Sequence, residues 1–176
     1  HQGAEKVSVK RLLVVVDMQR DFVSGSLGTK EAQAILPAVR ELIARERGVG
    51  SAVAFTLDTH GENYLATQEG RLLPVRHCIR GTDGWNLADG LDAGDARVFE
   101  KGAFGSVELA EYARSFDEVL LCGVCTDICV VSNALLIKAF SPETKVMVAE
   151  RACAGVTPEA HAAAIATMKS CQIEIV

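Results

Sequence analysis

At 176 residues, with 49% apolar and 23% charged side chains, the sequence has the composition of one ordinary globular domain, expected over residues 4–176. A chain of this length buries roughly two-thirds of its unfolded surface and needs no covalent staples. The net charge of −5 and the want of a basic stripe argue against a nucleic-acid partner, and apolar runs such as residues 12–16 are too short to span a membrane.

Residues 11–16 form a continuous aliphatic run, predicted as a strand ending at Asp17. Residues 32–45 then repeat apolar side chains at helical spacing (Ile35, Leu36, Val39, Leu42, Ile43), stopping before Gly48. A second strand is predicted over 51–57, ending at Asp58. The irregular stretch 61–95 is too long for a passive connection and is expected to carry function. Residues 97–100 make a short third strand ending at Lys101, 107–115 a helix, and 118–123 a fourth strand. Residues 127–140 are apolar nearly all round and are predicted to be a buried helix. A fifth strand (145–149), an alanine-rich helix (158–170) and a sixth strand (172–176) complete the chain. Strands alternating with helices specify a three-layer α/β/α domain around a mostly parallel six-stranded sheet, and strands covered on both faces are expected to be continuously aliphatic.

In such sheets ligands bind beyond the carboxyl ends of the strands. There the sequence places Asp17, Asp58, Lys101 and the run Gly-Val-Cys-Thr-Asp-Ile-Cys at 123–129. Polar residues commonly end strands, so each alone carries little; together they suggest a site. Thr126 or Asp127 is expected to cap the next helix, which puts Cys129 in its first turn, where the dipole favours a thiolate. An ammonium at Lys101 would stabilise that thiolate further. Asp17 is suited to general base and acid, and the backbone N–H groups of Cys125 and Cys129 to an oxyanion hole. Cys125 is a rival nucleophile, whereas Cys122, Cys171 and Cys153 read as core. With His60 and His77, Asp58 offers three ligands for a divalent ion, and Glu69 a fourth; the alternative is that both histidines are ordinary loop residues.

No signal-peptide pattern opens the sequence, and His1-Gln2-Gly3 reads as a remnant of an expression tag. The expected setting is the cytoplasm, with the six cysteines reduced.

Four segments carry a resemblance to a known family. They are Val-Asp-Met-Gln-Arg-Asp-Phe at 16–22; Asp-Thr-His at 58–60 with Leu-Pro-Val-Arg-His-Cys-Ile-Arg-Gly-Thr at 73–82; Glu-Lys-Gly-Ala-Phe-Gly-Ser at 100–106; and Gly-Val-Cys-Thr-Asp-Ile-Cys-Val at 123–130. The chain resembles the isochorismatase-like cysteine hydrolases, and within them the nicotinamidases. The resemblance implies an Asp17, Lys101 and Cys129 triad, a thioester intermediate, and a non-proline cis peptide between Val124 and Cys125. It also implies zinc, or else manganese or iron, on Asp58, His60 and His77, sometimes with Glu69, orienting the ring nitrogen of a small amide. It departs from the nicotinamidase pattern at Arg20, where asparagine is usual, at Thr59, where tryptophan is frequent, and at Leu73 and Val75, where an aromatic is frequent. Phe22 and Phe104 would then supply the ring-gripping wall, and Trp85 either joins them or anchors the long loop. Two other readings stay open: a metal-independent amidase of carbamoyl or ureido compounds, and a non-catalytic reactive-thiol binding protein. The family also suggests a homo-oligomer, packed through the alanine-rich helix.

Overall fold

The computed structural model describes residues 8–176, so the expected domain start at residue 4 and the tag-like His1-Gln2-Gly3 lie outside the described residues. In chain order the elements are β1 (Arg11–Val16), α1 (Arg20–Val23), α2 (Lys30–Gly48), β2 (Ala52–Asp58), α3 (Gln68–Leu72), β3 (Arg97–Lys101), α4 (Val107–Ala113), β4 (Glu118–Val124), α5 (Val131–Phe140), β5 (Lys145–Ala154), α6 (Pro158–Ser170) and β6 (Glu174–Ile175). The strands form one sheet in the order β3-β2-β1-β4-β5-β6, with every pairing parallel. Among the described residues no helix is long and apolar enough to cross a membrane.

The aliphatic strands fold this way because both of their faces are covered. All five residues from Leu12 to Val16 are fully buried, and each such side chain contributes about 1.5–3 kcal/mol of burial energy. Alternate residues face opposite layers. Leu12, Val14 and Val16 pack with Leu109 of α4, Ile137 of α5 and Met168 of α6, while Leu13 and Val15 pack with Val39, Leu42 and Ile43 of α2.

The order reverses beside β1, whose chain neighbour β2 lies on one side and β4 on the other. Such a switch point opens a crevice at the carboxyl ends of the strands. Gly123 makes the close approach there possible. Its φ is +116°, and a Cβ at this position would lie 2.1 Å from the Val16 carbonyl oxygen, so no other residue fits.

Four elements differ from expectation. Helix α2 starts earlier, because Thr29 caps it by accepting from Ala32 N at 3.0 Å. Strand β5 runs on to Ala154 through a register shift at which Glu150 and Arg151 are exposed, and those charges are why the sequence reads as ending at 149. The helix expected over 127–140 begins as a π-helical turn, Thr126–Val130, before α5. Nor is α5 buried all round: Asn133, Ala134 and Ile137 face inward, but Leu135 is exposed, since the helix packs against the sheet and its neighbours on one side only. The stretch 61–95 is less irregular than expected, holding α3 and two short 3-10 turns, Tyr64–Ala66 and Asp83–Trp85.

Candidate active site

Asp17 ends β1 with a positive φ of 48°, a left-handed conformation that turns its carboxylate across the strand tips. The side chain is fully buried, and Thr56 Oγ1 donates to Asp17 Oδ1 at 2.6 Å. Lys101, the last residue of β3, crosses two strands to donate from Nζ to Asp17 Oδ2 at 2.7 Å and to Cys129 Sγ at 3.5 Å. It also donates to the Ala103 carbonyl at 3.2 Å and lies 3.8 Å from Asp58 Oδ1. The structure therefore brings the sequence-predicted acid, ammonium and thiol together.

Burial pushes the Cys129 thiol well above its ordinary range; Asp17 adds to this, and the Lys101 charge opposes it only in part. Burial likewise raises the Asp17 carboxyl against the pull of Lys101. For Lys101, burial is outweighed by Asp17, Cys129 and Asp58, and it stays firmly cationic. The Lys101 ammonium and the Asp17 carboxyl thus lie beside a buried thiol, a grouping suited to proton transfer during attack.

The nucleophile turn has its own anchors. The Val124–Cys125 peptide is cis, as the resemblance implied. The Cys125 carbonyl accepts from both Ile128 N at 3.0 Å and Val130 N at 3.1 Å. Thr126 and Asp127 do not cap the helix; the Thr126 hydroxyl bonds His161 Nδ1 at 2.7 Å and Asp127 Oδ1 accepts from Val156 N at 3.0 Å. Thr126 thus ties the turn to α6 itself, and Asp127 ties it to the segment leading into that helix.

Asp58, His60 and His77 are buried, with ligand-type atoms within 4.8 Å of one another. His60 Nε2 and His77 Nε2 lie 2.9 Å and 3.3 Å from Asp58 Oδ2, and Glu69 Oε2 lies 3.4 Å and 3.8 Å from the same two nitrogens. His77 Nδ1 sits 2.7 Å from the Val75 carbonyl. That contact places a proton on Nδ1 and leaves Nε2 facing two carboxylates, where it either donates a proton to Asp58 or, once that proton is released, ligates a cation. Among the described residues Asp58 Oδ1 is buried without a hydrogen-bond partner, a second sign that the donor set fits a divalent ion. Burial opposes ionisation of Asp58, but the hydrogen bonds of both histidines and the charge of Lys101 win, holding it at about 2. Two residues that sequence reasoning passed over support this cluster. The ring of fully buried Tyr64 packs 4.6 Å from that of His60 and 4.9 Å from that of His77, and Gln19 brackets the Asp58 backbone, donating to its carbonyl at 2.9 Å and accepting from its N–H at 2.8 Å.

A cavity of about 220 Å³ touches both clusters, lined by Cys125 and Cys129 and also by Asp58, Glu69 and His77. Phe22, Leu73, Phe104 and Ile128 are among its apolar walls. It lies below the range of about 300–1,000 Å³ typical of drug-sized ligands, so it takes a molecule of about one ring. Phe22 and Phe104 are where the sequence suggested; Trp85 is not among the lining residues. Its indole Nε1 donates to Thr59 Oγ1 at 2.9 Å and its carbonyl accepts from Gln19 at 2.9 Å, so it anchors the long loop. Arg20 pairs with Asp83 and Asp89, also within that loop system. All six cysteines are free; Cys122 and Cys153 are buried as expected, but Cys171 is exposed, because it follows the last turn of α6.

Fold and family together define a hydrolase of three-layer α/β/α architecture, with the candidate site at the sheet's switch point. The chain belongs to the isochorismatase family: the model for the isochorismatase domain matches residues 11–176. It is 29% identical over 185 residues to a nicotinamidase/pyrazinamidase of Mycobacterium tuberculosis, covering 94% of this chain and 98% of that protein. The structure of a pyrazinamidase of Pyrococcus horikoshii in complex with zinc superimposes with a TM-score of 0.84 at 34% identity, covering 95% of this chain and 98% of that one. An N-carbamoylsarcosine amidase from Thermoplasma acidophilum gives a TM-score of 0.77 at 27% identity, covering 95% of each chain.

Proposed function

We propose that this amide C–N hydrolase cleaves a small heteroaromatic amide of the nicotinamide type, using Cys129 as nucleophile. The observation that carries the reading is the Lys101 ammonium, in contact with both the Asp17 carboxylate and the Cys129 sulfur where that sulfur meets the cavity. As the sulfur attacks the amide carbon, Asp17 takes the thiol proton and Lys101 balances the negative charge. The backbone N–H groups of Cys125 and Cys129 serve the oxyanion. Asp17 returns its proton to the nitrogen, ammonia leaves and a thioester remains. Water then attacks the thioester while Asp17 accepts its proton, freeing the acid and the thiol.

Asp58, His60 and His77, with Glu69, would hold a divalent ion, and zinc suits a nitrogen and oxygen set of this kind; when bound it supplies a Lewis-acid anchor for a ring nitrogen. Phe22 and Phe104 bracket the ring from the chain's side. The metal-independent carbamoyl reading fits less well, because among the described residues no Lys or Arg lines the cavity to meet a carboxylate on such a substrate. Assembly into a homo-oligomer would use the exposed Ala162, Ala163 and Ala166 of α6, and sedimentation tests that point.

The purified protein should release ammonia from nicotinamide, with Cys129→Ala reducing release to background. Activity that survives a strong chelator would favour the carbamoyl reading. Activity that survives the Cys129 substitution would refute the nucleophile.

A further inference from the structure

The helix after the nucleophile turn carries a polar side chain that the reaction as described does not use. Asn133 is fully buried in α5, where its inward-facing companions are Ala134 and Ile137. A buried amide is tolerated only when it is hydrogen-bonded, and this one makes three bonds. Its Nδ2 donates to the Cys129 carbonyl at 2.8 Å and to the Phe104 carbonyl at 3.1 Å, and its Oδ1 accepts from Ser106 N at 2.9 Å. One side chain therefore joins the backbone of the nucleophile to the backbone of a cavity wall.

The segment between Lys101 and Ser106 needs such a tie. Phe104 lines the cavity yet is 46% exposed, so packing alone does not fix it. At the other end of the segment the Lys101 ammonium holds the Ala103 carbonyl. Ser106 Oγ accepts from Leu109 N and caps α4, making it a firm anchor for the second bond of Asn133.

We infer that Asn133 is a specificity-positioning residue: it sets the phenyl wall of Phe104 at a fixed distance from Cys129 and thereby selects ring-bearing substrates. This rests on the reading of Cys129 as the nucleophile. Asn133 touches neither the sulfur nor the cavity; it acts through Phe104.

The test needs no knowledge of the substrate. Cys129 is alkylated with iodoacetamide and with N-phenyl iodoacetamide, and each rate is read at that residue by tandem mass spectrometry. The ratio of the two rates cancels the thiol's intrinsic reactivity and reports the wall. Asn133→Thr leaves one hydroxyl donor, which can still serve the Cys129 carbonyl four residues back but not the Phe104 carbonyl as well. Asn133→Asp keeps the shape and the Ser106 bond but loses both donors. Each variant should lower the phenyl preference about threefold to tenfold, the value of one aromatic contact, to the level of Phe104→Ala. In the Phe104→Ala background neither should lower it further. An unchanged ratio in whichever variant melts cooperatively overturns the inference, as does a drop that multiplies with that of Phe104→Ala. If iodoacetamide leaves wild-type Cys129 unmodified under conditions in which the same protein releases ammonia from nicotinamide, the nucleophile reading fails, and the inference with it.

Discussion

Replacing Lys101 by methionine probes the energetic heart of the site, because Lys101 is the one cation among three buried groups. Its ammonium lies 2.7 Å from Asp17 Oδ2, and neither side chain is more than 2% exposed. At an effective dielectric constant of about 20, that separation is worth roughly 6 kcal/mol of attraction, most of it offsetting the desolvation of the pair. Lys101→Met strands the Asp17 carboxylate, and breaking a buried pair from one side costs about 3–5 kcal/mol. For a domain of this size that corresponds to a fall in Tm of roughly 6–20 °C. The loss depends on pH with a definite sign. Asp17 already titrates above its ordinary value because it is buried, and without Lys101 it moves higher. The folded variant then holds a proton that the unfolded chain releases, so its stability is retained in acid and lost as pH rises. Urea unfolding of metal-stripped protein at several pH values measures this. The deficit should shrink from pH 7 toward the unfolded carboxylate range, and Asp17→Asn combined with Lys101→Met should recover more than 1 kcal/mol over the single lysine variant, a coupling of the size direct contacts show, about 0.5–3 kcal/mol. A deficit independent of pH, or a double variant no better than additive, would refute the account of the pair.

Further outcomes follow from other parts of the molecule. Four buried thiols and one half-buried thiol titrate above their ordinary range, chiefly because burial disfavours the thiolate: Cys78, Cys122 and Cys129, with Cys153 and the half-buried Cys125 pushed up to about 12. Their stabilising effect is complete below the unfolded thiol value of about 8.5 and is lost above it at about 1.4 kcal/mol per thiol per pH unit. Under reducing conditions the urea midpoint should therefore fall steeply between about pH 8.5 and 10.5; a flat profile would contradict the burial. Zinc at a hundred times its dissociation constant should add about 2.7 kcal/mol of stability, seen as a rise in Tm that His77→Ala abolishes; an equal rise in that variant would place the ion elsewhere. Gly123→Ala forces a side chain against the Val16 carbonyl oxygen at a φ of +116°, and it should cost about 2–6 kcal/mol from clash and backbone strain together, measured by chemical unfolding. Trp85→Phe should lower Tm by removing the bond to Thr59 while leaving KM within about twofold, since an indole outside the cavity does not contribute contact area to a ligand; a large rise in KM would return Trp85 to the pocket wall.

The legible parts of this protein are those where one physical rule decides. A strand covered on both faces must be aliphatic throughout, so β1 and the start of β4 stood out, and the polar residue closing each strand marked the edge at which Asp17, Asp58, Lys101 and Cys129 meet. Residues placed by long-range contacts were harder to see. The register shift in β5 hides behind Glu150 and Arg151, which look like the end of a strand. The turn carrying Cys129 is π-helical rather than the first turn of a capped α-helix, and burial there works against the thiolate that the dipole would favour. Residue type alone left Trp85 open between a ring-binding wall and an anchor of the long loop, and only the bond to Thr59, 26 residues away, decides for the anchor. Asn133 did leave a signal in the sequence, as a polar residue on the apolar face of a helix, but its partners lie on a different segment and only the fold names them.

Trapping the enzyme during turnover addresses the central chemical claim most directly. Protein mixed with nicotinamide, quenched in acid within the first turnovers and examined by intact and tandem mass spectrometry should carry a pyridine-carbonyl group on the sulfur of Cys129, and Asp17→Asn should carry none. Steady ammonia production with the acyl group found on Cys125, or with no acyl group on any residue, would contradict the account.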